Sequence, residues 1–139
     1  MIEQDVFVYF KESPTLSGIM GSTEKVYLIQ APSEDVDIAK MPWVIVEKTS
    51  GTRRKISQLK MEEIAYLRIS VDAGPGQVFK GGTIIQECHR LLENYRGTIR
   101  NAVDVESTVS AIRSWAGFSG AYRYQFDATI RYTEPYSRP

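Results

Sequence analysis

The sequence predicts an α+β domain, with a mainly antiparallel sheet packed against two principal helices, and three observations support this. Residues 121–134, AYRYQFDATIRYTE, alternate strictly: Tyr122, Tyr124, Phe126, Ala128, Ile130 and Tyr132 are apolar or aromatic, while Arg123, Gln125, Asp127, Thr129, Arg131 and Thr133 are polar. A period of two marks a strand with one packed and one wet face. Ile84, Ile85, Cys88, Leu91, Leu92 and Tyr95 recur instead at a period near 3.6, the stripe of a helix lying on a core. The chain as a whole runs helix, strands, helix, strands, the order of an α+β fold rather than of alternating βα units.

Taken in order, Ile2, Val6, Tyr9 and Phe10 sit at helical spacing within residues 2–11, and Pro14, Gly18 and Gly21 then interrupt the pattern, reading as an irregular turn. KVYLI (25–29) has the β-branched and aromatic content of a strand, and the loop APSEDVDIAKMP follows. WVIVEK (43–48) reads as a second strand. The segment 49–63, with a Ser-Gly turn and the basic cluster Arg53, Arg54 and Lys55, joins it to IAYLRISVD (64–72) as a hairpin with a long tip. After AGPG comes the helical stripe, ended by Gly97. TIRNAVDVESTVSAIR (98–113) suggests one long or broken strand. SWAGFSG (114–120) is a glycine-containing connection carrying Trp115 and Phe118. The alternating stripe closes the sheet, and 135–139 trail as an extended tail.

A chain of 139 residues fits a single domain, 1–139, that buries about two-thirds of its unfolded surface. Apolar residues at 42% and charged residues at 24% are ordinary globular values, which argue against a disordered chain. Seventeen basic residues balance seventeen acidic ones, so no net field holds a polyanion or a membrane surface over the whole molecule. One cysteine, Cys88, and one histidine, His89, make neither an internal disulfide nor a zinc site of three or four such ligands. Glu3, Asp5 and Lys11 break any signal-like start, and no apolar run approaches 18 residues. The expectation is a soluble protein made in the cytoplasm, without a cofactor or membrane partner.

Several local patterns suggest chemistry. GQVFKGGT (76–83) lies where a phosphate-cradling loop would sit, but the position that needs a lysine holds Gly82, so a turn and helix start is the expected reading. Cys88 belongs to the buried stripe and His89 points toward the wet face, about 100° away, which separates them as a nucleophile and base. Glu34, Asp35 and Asp37 lack the ligand spacing and glycine of a calcium loop. Arg53, Arg54 and Lys55 have no interleaved aromatic residue to stack a base. No set of residues combines nucleophile, base and oxyanion donor, so the chain reads as a non-enzyme.

The succession MPWVIVEKTSGTRR, AYLRISVDA, a helix running into LLENYRG, and a final AYRYQFDATIRYTEP resembles the tail terminator or tail completion proteins of long-tailed bacteriophages. The matching features span roughly residues 1 to 135: Pro42 before a strand, the Ser50-Gly51 turn, the phrase LLENYRG and the closing Tyr132-Thr133-Glu134. The resemblance implies a small α+β subunit forming a ring, a homohexamer, at the head-proximal end of the virion tail. Such a ring stops tube polymerisation and offers the head connector a docking surface. Its partners are then copies of itself, the tail tube protein and the connector protein, with DNA passing through the lumen. On this reading Arg123, Asp127 and Arg131 are candidates for the subunit interface or lumen face. Arg53, Arg54, Lys55, Trp115 and Phe118 are candidates for the tube or connector contact. The alternatives are a head-to-tail joining protein on the connector side of the neck, or a small α+β ligand-binding domain or enzyme.

Overall fold

The computed structural model describes residues 2–21, 26–28, 41–57, 60–117 and 120–135. The acidic run Glu34, Asp35 and Asp37, the candidate contact Phe118 and the tail beyond residue 135 lie outside them. Helix α1 spans Ile2–Lys11, with Glu3 and Asp5 in its first turn and Lys11 in its last, each complementing the end of the helix dipole it occupies. It buries Ile2, Val6 and Phe10.

The expected irregular turn is a second helix, α2, Pro14–Met20. The residues that look like breaks are its caps. Ser13 Oγ accepts from the backbone N–H of Leu16 at 3.2 Å, Pro14 fills the first turn, where a missing N–H costs nothing, and Gly21 ends the helix at φ 79°.

Three strands follow: β1 (Val26–Leu28), β2 (Trp43–Lys55) and β3 (Lys60–Ala73). β1 runs parallel to β2 at Val26↔Val44 through Leu28↔Val46, and β2 runs antiparallel to β3 along almost its whole length. The expected long hairpin tip is therefore strand. Residues 49–55 and 60–63 stay in the ladder, with one register shift between Lys48 and Ser50, and the basic cluster sits on β2. Its pattern is hard to see because β2 is exposed from Lys48 onward, so neither face shows an apolar alternation.

Helix α3, Val78–Leu92, provides the main helical cover. It stops before Glu93, and the following Asn94 takes φ 52°, so the helix ends earlier than Gly97, which belongs to the next strand. Gly81 and Gly82 lie inside the helix because the Tyr124 ring packs on them: a Cβ at Gly81 would stand 2.7 Å from Ala73 Cβ and 3.2 Å from Tyr124. That contact accounts for the glycine pair that resembles a phosphate loop.

The expected single strand across 98–113 is two strands, β4 (Arg96–Ile99) and β5 (Ala102–Val109), and the expected connection 114–120 opens as a further strand, β6 (Arg113–Ala116), which carries Trp115. β4 and β5 form a hairpin about Arg100, at φ 53°, while β5 and β6 pair in succession with one edge of β7, Tyr122–Pro135. The sheet order is β1-β2-β3-β7-β5-β4, with β6 also on β7. All pairings except β1–β2 are antiparallel.

One face of this sheet carries the core. Val44, Val46, Leu67, Ile69, Val71, Phe126, Ala128 and Ile130 meet Ile2, Val6 and Phe10 of α1, Leu16 of α2 and Ile84, Ile85, Cys88 and Leu92 of α3. Each such large side chain contributes about 1.5–3 kcal/mol over its exposed state. A smaller cluster of Met41, Trp43, Ile45 and Ala121, with Tyr27 against it, lies beside the core. Trp43 and Ile45 alternate with Val44 and Val46, so this half of β2 is buried on both faces.

Candidate functional site

The alternation of β7 does divide the sheet as expected. Phe126, Ala128, Ile130 and Tyr132 are buried, while Arg123, Asp127 and Arg131 share the opposite face. Each of the three charges meets an opposite charge within the chain. Arg123 grips Asp72 of β3 through Nε at 2.7 Å and Nη2 at 2.8 Å, and Trp43 Nε1 donates to the same carboxylate at 2.6 Å. Its hydrogen bond to Asp72 leads the influences that raise the Arg123 pKa, so the guanidinium stays charged. Asp127 accepts from Arg68 at 3.3 Å and Arg113 at 3.0 Å, and Arg131 donates to Glu62 at 3.2 Å. Arg123 is thus held against a carboxylate that is 1% exposed, whereas Asp127 and Arg131 remain accessible.

A second charged group lies near the far end of β2 and β3. Glu63 is 2% exposed, accepts from Lys48 at 3.0 Å and from the Tyr132 hydroxyl, and pairs with Arg53 at 3.1 Å. Burial alone raises its carboxyl pKa, but the hydrogen bonds from Tyr132 and Lys48 and the charges of Lys48 and Arg53 outweigh burial and hold it below the ordinary glutamate value. Burial first, and then the bond to Glu63, push the Tyr132 phenol well above its ordinary value. Arg53 also reaches Glu134 at 2.6 Å, and Arg54 meets Glu62 at 2.9 Å. These cross-strand pairs hold the long polar ribbon in register. Sequence reading singles out the arginines but not Glu62, Glu63 and Asp72, because which acid lies opposite which base depends on strand register.

Trp115 lies on β6 opposite Arg123 and is 42% exposed. Phe79, on the first turn of α3 and away from its buried stripe, is 95% exposed, and sequence reading does not single it out. Cys88 is fully buried, and burial drives its thiol pKa far above the ordinary value, leaving a packed and unreactive group. His89 is not simply solvated: its ring stands edge-on to Phe126 at 5.1 Å, with Nε2 3.0 Å from the Ser110 carbonyl oxygen. Among the described residues no group of three or more His, Cys, Asp or Glu is placed to hold a metal ion, and no helix is long and apolar enough to cross a membrane.

No family model matches the chain. No curated protein matches it either. Among solved structures, a chain of the "Virion of native gene transfer agent (GTA) particle" has the same fold, with a TM-score of 0.62 and 10% identity, the match covering 96% of this chain and 94% of that one.

Proposed function

We propose that this chain is a virion structural subunit that assembles into a ring, caps the head-proximal end of a tail tube, ends its growth and offers a docking surface to the head connector. The observation that carries this reading is the shared fold with a chain of a virion particle over nearly the full length of both chains. The sequence resemblance to tail terminators points the same way, and the ring, the hexamer and the tail position rest on it.

The geometry suits such a role. The outer sheet face, with Asp127 and Arg131 already engaged in ion pairs, makes a wall of mixed charge for the interface or lumen. A wall of that kind lets DNA pass without the tight salt-dependent binding of a uniformly basic surface. Arg123, locked to Asp72, positions that wall. Trp115 supplies an exposed aromatic anchor for the tube or connector, and Arg53, Arg54 and Lys55 an exposed charged surface for protein contact, its arginines paired with Glu62, Glu63 and Glu134. Growth stops because the ring face turned away from the tube lacks the surface that a further tube subunit needs.

The test is to mix the purified protein with purified tail tubes and image them by negative-stain electron microscopy. A ring on one tube end, with further addition of tube protein blocked there, supports the reading. Binding to connectors but not to tubes reassigns the chain to the connector side of the neck.

A further inference from the structure

At the end of the sheet away from Trp43, strand register gathers two arginines around one carboxylate on the outer face. Arg54 on β2 lies opposite Glu62 on β3, and in the next row Thr52 lies opposite Ile64, and Ile64 opposite Arg131 of β7. These five residues, with Arg53, line a shallow depression. Arg54 Nη2 donates to Glu62 Oε1 at 2.9 Å and Arg131 Nη2 to Glu62 Oε2 at 3.2 Å, and among the described residues neither guanidinium has another hydrogen-bond partner. The Glu62 side chain is 16% exposed, against 71% for Arg54 and 55% for Arg131, so the carboxylate is covered while further N–H groups of both arginines face solvent. Glu62 therefore does two things: it cancels one of two positive charges, and it holds both planar forks in place before any ligand arrives.

The surroundings do not supply the missing negative charge. Glu106 lies beside Arg131, but on its other side it has Arg96 of β4. Lys60 is exposed two residues before Glu62, on the same side of β3. Arg54, Lys60, Arg96 and Arg131 thus stand against Glu62 and Glu106, with Asp104 beyond them at the β4–β5 hairpin.

Further along the strands the face changes character. The next row, Ser50, Tyr66, Thr129 and Thr108, is uncharged, and the one after it brings Glu47, Arg68 and Asp127, with acids in the majority. A nucleic acid strand carries a phosphate at every nucleotide and would run from the arginines onto these acids. A single carboxylate meets only the surplus cations, and the half-buried Ile64 offers its methylene groups an apolar floor.

We infer that Arg54 and Arg131 bind the carboxylate of an acidic side chain presented by a protein partner. The carboxylate accepts from the N–H groups that Glu62 leaves free, and Thr52 adds a hydroxyl donor. This site rests on the reading of the chain as a virion subunit that docks on other proteins, and it names the chemistry such docking uses at this end of the sheet.

NMR of isoleucine δ1-methyl groups in the full chain reads Ile64 whether the chain is free or in a ring. N-acetylglutamate α-amide should shift the Ile64 signal saturably and leave that of the exposed Ile56 in place, and N-acetylglutamine α-amide should shift neither. Arg54→Gln with Arg131→Gln should weaken the glutamate compound by roughly tenfold or more, with circular dichroism checking the fold, while Arg96→Gln, outside the depression, should weaken it far less. A dT decamer should bind no more tightly than the glutamate compound. An Ile64 signal that does not move, moves equally with the glutamine compound or ignores the double variant overturns the site. Tighter binding of the decamer makes the occupant nucleic acid and overturns the protein partner. Protein that caps tail tubes while its Ile64 stays silent loses this site and keeps the proposed function; protein that binds the glutamate compound as expected but neither assembles nor caps keeps the site and loses that function.

Discussion

Asp72 and Arg123 face each other across β3 and β7 and are joined by two hydrogen bonds, of 2.7 and 2.8 Å, with the carboxylate 1% exposed. The pair ties the middle of the sheet together where Trp43 also donates to Asp72. Removing the guanidinium leaves a buried carboxylate with only the indole N–H, so Arg123→Ala should cost about 3 kcal/mol, toward the low end for breaking a buried pair because Arg123 is partly exposed. Arg123→Lys, which keeps the charge but not the two-pronged geometry, should cost less. Urea denaturation monitored by tryptophan fluorescence measures both.

Glu63 should give the fold an acid-sensitive contribution. Its folded pKa lies below the unfolded value of about 4.3, so its stabilisation is complete at neutral pH and is lost as pH falls below that value and through the folded pKa. Glu63→Gln removes the charge that Lys48 and Arg53 share and should cost about 1–3 kcal/mol at pH 7. The gap between variant and parent should narrow as pH falls through the carboxylate range, which a series of denaturation curves from pH 7 to pH 3 would show.

Asp5 should behave in the opposite sense. Burial leads the influences that raise its pKa, its Oδ2 has no partner among the described residues, and Arg100 stands 3.7 Å away. Its charged form is disfavoured in the fold, so its penalty appears as pH rises through the unfolded pKa and is complete above the folded one. Asp5→Asn should be neutral or stabilising at pH 7 and lose any advantage near pH 3, measured as the difference in Tm at the two pH values.

The adjacent glycines of α3 should part company. Gly81→Ala places a Cβ against Ala73 and Tyr124 and should destabilise by about 1–3 kcal/mol despite the gain in helix propensity. Gly82→Ala meets only ordinary contact with the Tyr124 hydroxyl and the adjoining ring edge, at 3.5 Å or more, and should be neutral or stabilising by up to about 1 kcal/mol. Thermal melts of the two variants test the packing reading of this pair.

The α+β class, α1, α3 and the β7 stripe are legible because each buries one face, which imposes a period on the residues. The β2–β3 ribbon beyond Lys48 is not, since its side chains are largely exposed and its strands are held by charge pairs such as Arg54–Glu62 rather than by an apolar stripe. α2 is legible in principle through Ser13, Pro14 and Gly21, but the same three residues also read as a turn. The division of 98–113 into β4 and β5 depends on the bend at Arg100, a residue type with no special preference for positive φ, and β6 is exposed throughout, so it shows no apolar alternation. As for the site, the arginines of β7 are visible from spacing, while the acids that engage them become partners only once β3 lies beside β7 in register.

Tail length in particles made without this chain tests the capping role most directly. Deletion of its gene should yield tubes longer than normal and of variable length, unattached to heads. Tubes of normal length joined to capsids would contradict it.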